Sequence, residues 1–301
     1  MLIGHRGARG LFPENTCEGF ARALALGIDG IELDVGVTAD GVPVVCHDPA
    51  LNPDLVRSAD GRWLRGPGPL IRSLTAAELA CYDVGRARPG SAAAILSPEQ
   101  IPHDGARIPR LDEVLARFDT RFVVELKTLA DHPDWTVPAA EMAELVAEVV
   151  EARQAAGRVR IESFDWRGPR HLRRTRPGLP LAWLTRRATV AAAGLWWDGP
   201  TPADYGGSVP RVVAAEAGGR SSEVWAPEHV DLTVELIAEA HELGLAVVPW
   251  TVNRPGEMAR LIGWGVDGLV TDRPDLARVV IAGRPQPDRF AIRPLPQARE
   301  R

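Results

Sequence analysis

Short runs of β-branched and aliphatic residues recur at 2–6, 30–36, 121–127, 159–164, 181–185, 223–227, 246–252 and 268–272, and most intervals between them carry apolar positions at helical spacing. Strand runs alternating with helical segments are the pattern of βα units, in which each parallel strand needs a helical return. Eight such units predict a closed α/β architecture, a (β/α)8 TIM barrel, rather than an open doubly wound sheet. Asn15 with Glu18 three residues later reads as a capping box opening a helix that Gly27 closes before the second strand. Pro138 suits a first helical turn, and the alanine-rich run to Ala156 ahead of Gly157 predicts a long helix. Residues 229–243 carry a further helical pattern that stops at Gly244.

One segment breaks the alternation. Thr38-Ala39-Asp40-Gly41 lies between two apolar runs, and Asp-Gly in that setting signals a hairpin, so an extra antiparallel strand is expected at 42–47. A two-residue loop sets Asp34 opposite His47, and a four-residue loop sets Glu32 opposite His47. A three-residue loop would turn His47 to the other face. Residues 49–110 are rich in Pro, Gly, Asp and Arg with one short helical pattern near 75–81, which predicts an insertion on a single barrel domain spanning 1–283. The Pro- and Arg-rich stretch 284–301 is expected to be an irregular C-terminal tail.

Composition narrows the partners. The 301 residues carry a net charge of −5, with basic residues scattered apart from a short cluster at 167–176, so nucleic acid is not expected and a small molecule is. No apolar run is long enough to predict a membrane span. Cys17, Cys46 and Cys81 show no paired spacing, which leaves thiolate zinc sites unsupported. The chain opens on Met1-Leu2-Ile3-Gly4-His5 with no basic or apolar leader region, so a cytoplasmic location is expected, or a periplasmic one if the start is truncated.

The chemistry concentrates at strand ends. Glu32 and Asp34 are two apart in Gly30-Ile31-Glu32-Leu33-Asp34-Val35, so period-two alternation sends both to one face, the barrel interior. Glu125 in Phe122-Val123-Val124-Glu125-Leu126-Lys127 repeats that pattern. Three buried carboxylates are costly unless protonated, paired with cations or bound to a metal. Oxygen ligands without cysteine suit one divalent cation, Ca²⁺ or Mg²⁺, with Mn²⁺ compatible; the bland alternative is a salt-bridge network with Arg6 and Lys127. His5 ends the first strand, and His47 in Val44-Val45-Cys46-His47-Asp48 supplies a second imidazole for proton transfer. Arg6 and Lys127 offer fixed positive charge for a phosphate, and Trp250 ends the seventh strand where its ring can wall a pocket or fill the core. His103, His132, His171, His229 and His241 have no partners at strand ends and are read as surface residues.

These residues stand in a familiar order. His5-Arg6-Gly7-Ala8, Pro13-Glu14-Asn15-Thr16, Glu32-Leu33-Asp34-Val35, His47-Asp48, Glu125-Leu126-Lys127, Ser163-Phe164, Trp250-Thr251-Val252-Asn253 and Thr271-Asp272 together resemble the glycerophosphodiester phosphodiesterase family. The resemblance implies a barrel with a subdomain inserted after the His47 strand, and a Ca²⁺ or Mg²⁺ ion on Glu32, Asp34 and Glu125. It also implies His5 and His47 as acid and base, with Arg6 and Lys127 on the phosphate. The reaction implied is hydrolysis of glycerophosphodiesters to sn-glycerol 3-phosphate and an alcohol, with attack by the free glycerol hydroxyl through a cyclic phosphate as one route. The segment Pro49-Ala50-Leu51-Asn52-Pro53-Asp54 departs from the family's Arg-Thr-Thr-like stretch and bears on substrate preference. Two rival readings fit the same residues: a lysophospholipase D or sphingomyelinase D-like enzyme, and a non-catalytic phosphoglycerol-binding barrel.

Overall fold

The computed structural model describes residues 1–220 and 222–283, so the expected tail at 284–301 lies outside the described residues. Nine strands form one sheet: β1 (Leu2–Gly4), β2 (Gly30–Val37), β3 (Pro43–Val45), β4 (Arg121–Leu126), β5 (Val159–Ser163), β6 (Leu181–Thr185), β7 (Val224–Pro227), β8 (Ala246–Val247) and β9 (Leu269–Thr271). All but β3 are parallel to their neighbours, in the order β8-β7-β6-β5-β4-β2-β1-β9, while β3 pairs antiparallel with β2. The sheet closes between its two ends through backbone bonds from Asp267 N to Val247 O (2.9 Å), Val270 N to Pro249 O (3.0 Å) and Val252 N to Val270 O (2.9 Å). β8 is shorter than the apolar run 246–252 suggested, because Pro249 has no N–H to give to a ladder. The result is the expected eight-stranded barrel with helices outside it.

Alternation divides the wall. Outward residues such as Ile31, Leu33, Val124 and Ile161 pack under the helices, and inward residues Ile3, Val123, Ala182, Leu184, Val224, Ala226, Val248 and Val270 form a separate apolar cluster in the lumen. Every strand therefore lifts its next inward residue to the carboxyl-end mouth. Among the described residues no helix is long and apolar enough to cross a membrane.

Two local expectations change. The helix Cys17–Ala25 is capped by Thr16, whose Oγ1 accepts from Gly19 N at 3.0 Å, so Asn15 is not the cap. Asn15 instead takes a left-handed φ of 54° and turns its amide inward. The long helix runs Ala139–Ala152 directly after Pro138, but a left-handed Gln154 ends it before Gly157 is reached.

The hairpin forms with the third register. Val35 pairs with Val45, Gly36 with Val44 and Val37 with Pro43, around the three-residue loop Ala39-Asp40-Gly41 in which Gly41 takes φ 75°. An αL glycine at the third loop position is the geometry of a three-residue hairpin, and it sets Cys46, not His47, opposite Asp34. Strict alternation would then aim His47 away from the acids. The ladder stops at Val45, however, and His47 lies beyond it on irregular backbone. The segment that follows packs Leu51, Val56, Ile71, Leu79 and Ile108 against Val44 of β3 in a small separate core, and it contains a second short helix, Ala92–Leu96, besides the anticipated Ala76–Leu79.

Candidate active site

At the end of β1 the chain turns sharply, and a side chain at Gly4 would place its Cβ 1.7 Å from the Gly7 carbonyl oxygen, so only glycine permits the turn that presents His5. His5 Nδ1 lies 2.6 Å from Asp272 Oδ1, and Nε2 is 3.8 Å from Glu32 Oε2. Burial lowers the His5 pKa, against the pull of Asp272. Arg6 takes a left-handed φ of 49°, an uncommon strain for a non-glycine residue, and its backbone N–H donates to Glu32 Oε2 at 2.8 Å. Its guanidinium donates to Glu14 Oε1 (2.8 Å), with Nε 3.3 Å from Asp34 Oδ2.

Glu32, Asp34 and Glu125 meet below this turn, buried, with one oxygen from each lying within 4.8 Å of the others. Their ionisation is divided by environment. Burial and then the neighbouring Asp34, Glu162 and Glu125 raise Glu32 well above the usual carboxylate range. Burial would raise Asp34 too, but Arg6, His47 and Lys127 outweigh it and hold that carboxyl far below its ordinary value. Glu125 is raised by burial although Lys127 Nζ donates to its Oε1 at 2.8 Å. Lys127 also stands 3.5 Å from Asp34 Oδ1, and these two acids hold its ammonium charged against its own burial. The network of acids with Arg6 and Lys127 considered from sequence is thus present, yet it does not saturate the acids. Asp34 Oδ1 is buried without a hydrogen bond, and two of the three carboxyls are driven towards the neutral form by burial, with the neighbouring acids adding to it. A hard divalent cation answers both conditions, so the donor set fits one.

Three residues to which the sequence assigned no part in the chemistry belong here. Asn15 Nδ2 donates to Asp34 Oδ2 at 2.9 Å and its Oδ1 faces the Asp34 N–H at 3.4 Å, which is what its left-handed backbone accomplishes. Asp272, at the end of β9, accepts from Arg9 Nε (2.8 Å) and Asn253 Nδ2 (2.7 Å) besides meeting His5. Glu162 stands beside Glu125 on β5, and burial followed by Glu125 pushes its pKa up to about 8. The alternation in Val159-Arg160-Ile161-Glu162-Ser163 repeats that of β2 and could have marked it.

His47 approaches from the hairpin side. Its Nδ1 lies 2.7 Å from Asp48 Oδ1, and Asp48 Oδ2 accepts from Asn52 Nδ2 at 2.6 Å. The departure at 49–54 therefore ends on the carboxylate that holds this histidine. Trp250 donates its indole N–H to Ala226 O (2.9 Å) and meets Phe164 edge to face at 5.3 Å, so it walls the mouth as well as packing on the lumen. Cys46 is half-buried, and desolvation pushes its thiol up to about 12, which leaves it inert. Of the histidines read as unpartnered, His171, His229 and His241 face Glu144 (2.5 Å), Glu257 (3.4 Å) and Asp267 (2.9 Å), none of which belongs to the Glu32–Asp34–Glu125 cluster.

Residues 5–276 match the model of the glycerophosphoryl diester phosphodiesterase family. A glycerophosphodiester phosphodiesterase of Bacillus subtilis (strain 168) is 29% identical over 295 residues, covering 94% of this chain and 87% of that protein. A crystal structure from Silicibacter pomeroyi DSS-3, assigned as a glycerophosphoryl diester phosphodiesterase, is 38% identical with a TM-score of 0.81, covering 93% of this chain and 92% of that one. An Oleispira antarctica phosphodiesterase, solved with the product sn-glycerol-3-phosphate, shares the fold at a TM-score of 0.70 and 21% identity, over 94% of this chain and 97% of that one.

Proposed function

The chain belongs to the glycerophosphoryl diester phosphodiesterase family, and from that premise we propose that it is an enzyme hydrolysing glycerophosphodiesters to sn-glycerol 3-phosphate and an alcohol, with His5 and His47 exchanging the protons. The observation that carries the reading is that both imidazoles present Nδ1 to a carboxylate, Asp272 and Asp48, which leaves Nε2 of each for a substrate at the acidic centre. One histidine takes the proton of the attacking hydroxyl as its oxygen bonds to phosphorus. The other gives a proton to the alcohol oxygen as its bond to phosphorus breaks. When the attacking hydroxyl is the glycerol's own, a cyclic phosphate forms, and water opens it with the two roles exchanged.

Glu32, Asp34 and Glu125 would hold one divalent cation, Ca²⁺ or Mg²⁺ with Mn²⁺ also compatible, which when bound supplies Lewis-acid polarisation of the phosphoryl group. Lys127 and Arg6 keep positive charge beside Asp34, where the phosphate oxygens are proposed to lie, and Trp250 bounds the pocket beyond them. Burial of the acids lowers the effective dielectric around them and strengthens their interactions with these charges.

Product analysis on a mixed pool of glycerophosphodiesters tests this. Turnover should stop in chelator and return with Ca²⁺ or Mg²⁺, and His5→Ala and His47→Ala should each lower kcat by about 10²- to 10⁴-fold with the circular dichroism unchanged. Full activity in chelator removes the metal from the proposal, and full activity in either variant removes that histidine.

A further inference from the structure

Two charged residues at the mouth have no part in the reaction above. β6 and β7 point Leu184 and Ala226 into the lumen, so alternation brings Arg186 and Glu228 to the mouth, between Phe164 beyond β5 and Trp250 beyond β8. In the strand order β6 lies across the barrel from β1 and β7 across from β2, which places Arg186 and Glu228 opposite His5 and the Glu32–Asp34 pair. A diester whose phosphate sits on the β1–β2–β4 side directs one of its ends toward them.

Their surroundings keep both charges available. The Glu228 N–H donates to Thr185 O at 2.8 Å, so Glu228 and Arg186 are neighbours on adjacent strand ends. Opposite charges so placed would ordinarily pair, yet among the described residues neither side chain has an ion-pair partner. The Arg186 guanidinium lies instead over the Phe164 ring, with Cζ 5.3 Å from the centroid, and Phe164 is itself braced edge-on by Trp250. Glu228 is only half-buried, and its backbone bridges to Trp250. The wall thus runs aromatic, cation, anion, aromatic over four consecutive strands.

A neutral alcohol would leave two charges unmatched, and a purely cationic one would meet Glu228 while facing Arg186. We propose that Arg186 and Glu228 are the specificity residues for the alcohol end of the substrate, and that the alcohol they select carries an ammonium and a carboxylate on one carbon, the chemistry of a serine headgroup. Arg186 takes the carboxylate by charge-assisted hydrogen bonds, and Glu228 takes the ammonium. The inference rests on the hydrolase reading given above.

The test compares kcat/KM on glycerophosphoserine, glycerophosphoethanolamine and glycerophosphoglycerol for the parent chain, Arg186→Gln and Glu228→Gln. The parent should favour the serine ester by about tenfold or more over the glycerol ester. Arg186→Gln should collapse the serine-to-ethanolamine ratio, and Glu228→Gln the ethanolamine-to-glycerol ratio, each by about tenfold. Equal use of serine and glycerol esters by the parent overturns the inference. So does a variant that lowers all three esters alike, which marks a structural role or contact with the glycerol end. If the parent cleaves none of the three, the hydrolase reading itself falls.

Discussion

His5 and His47 each meet a carboxylate through Nδ1, at 2.6 Å from Asp272 and 2.7 Å from Asp48, but the two pairs sit in different surroundings. The side chains of His5 and Asp272 are 12% and 9% exposed, and those of His47 and Asp48 are 32% and 34%. Asp272 also receives Arg9 and Asn253, whereas Asp48 receives Asn52. A charge pair in a dry site interacts through a low effective dielectric and leaves an uncompensated group when broken. A pair open to water is screened and can be partly replaced by solvent. The same arrangement therefore fixes His5 rigidly and only guides His47.

Removing the carboxylates tests that contrast most strongly. Asp272→Asn should reduce kcat by about 10²-fold and Asp48→Asn by about tenfold or less, with KM little changed, because the loss is of imidazole orientation rather than of binding. Steady-state kinetics on both variants decide it. If Asp48→Asn is the more damaging, depth of burial is not what sets the two pairs apart.

Acid stability gives a smaller effect of the same kind. Burial works against the Asp272 charge, but His5 and Arg9 hold its carboxyl well below the usual range, and His47 with Asn52 likewise lowers Asp48 against its burial. For a depressed carboxyl the stabilisation is present above the unfolded value of about 3.9 and is lost as pH falls through the folded value. Urea midpoints should thus decline below about pH 4, and Asp272→Asn should remove about 1–2 kcal/mol of that dependence, more than Asp48→Asn removes. Parallel pH profiles for parent and Asp272→Asn would contradict it. The smallest change belongs to Asn52→Ala, which frees Asp48 on its exposed side and should lower kcat about threefold. A loss as large as that of Asp48→Asn would show that the half-exposed pair depends on this one amide.

The sequence made the acids legible because strand alternation is a local rule: Glu32, Asp34 and Glu125 share the lumen face for the reason their spacing implied. His47 reached the same centre by another route. Its hairpin adopted the register that should have turned it away, and the ladder's end at Val45 released it. Asn15 looked like a helix cap because a polar residue ahead of a helix ordinarily is one, and only its left-handed backbone shows that it serves Asp34. Asp272 stood in a recognised motif, but nothing near it names His5 as its partner. That contact depends on the first strand pairing with the last, a property no window of sequence contains.

That pairing has a consequence for biosynthesis. The last strand docks beside the first, so a nascent chain released at residue 271 would already carry His5, Arg6, Glu32, Asp34, His47, Glu125 and Lys127, yet lack the carboxylate that meets His5. An incomplete polypeptide would hold every proposed reactive group with His5 still unaligned. On the ribosome, competence would arrive late and abruptly, when the final strand docks.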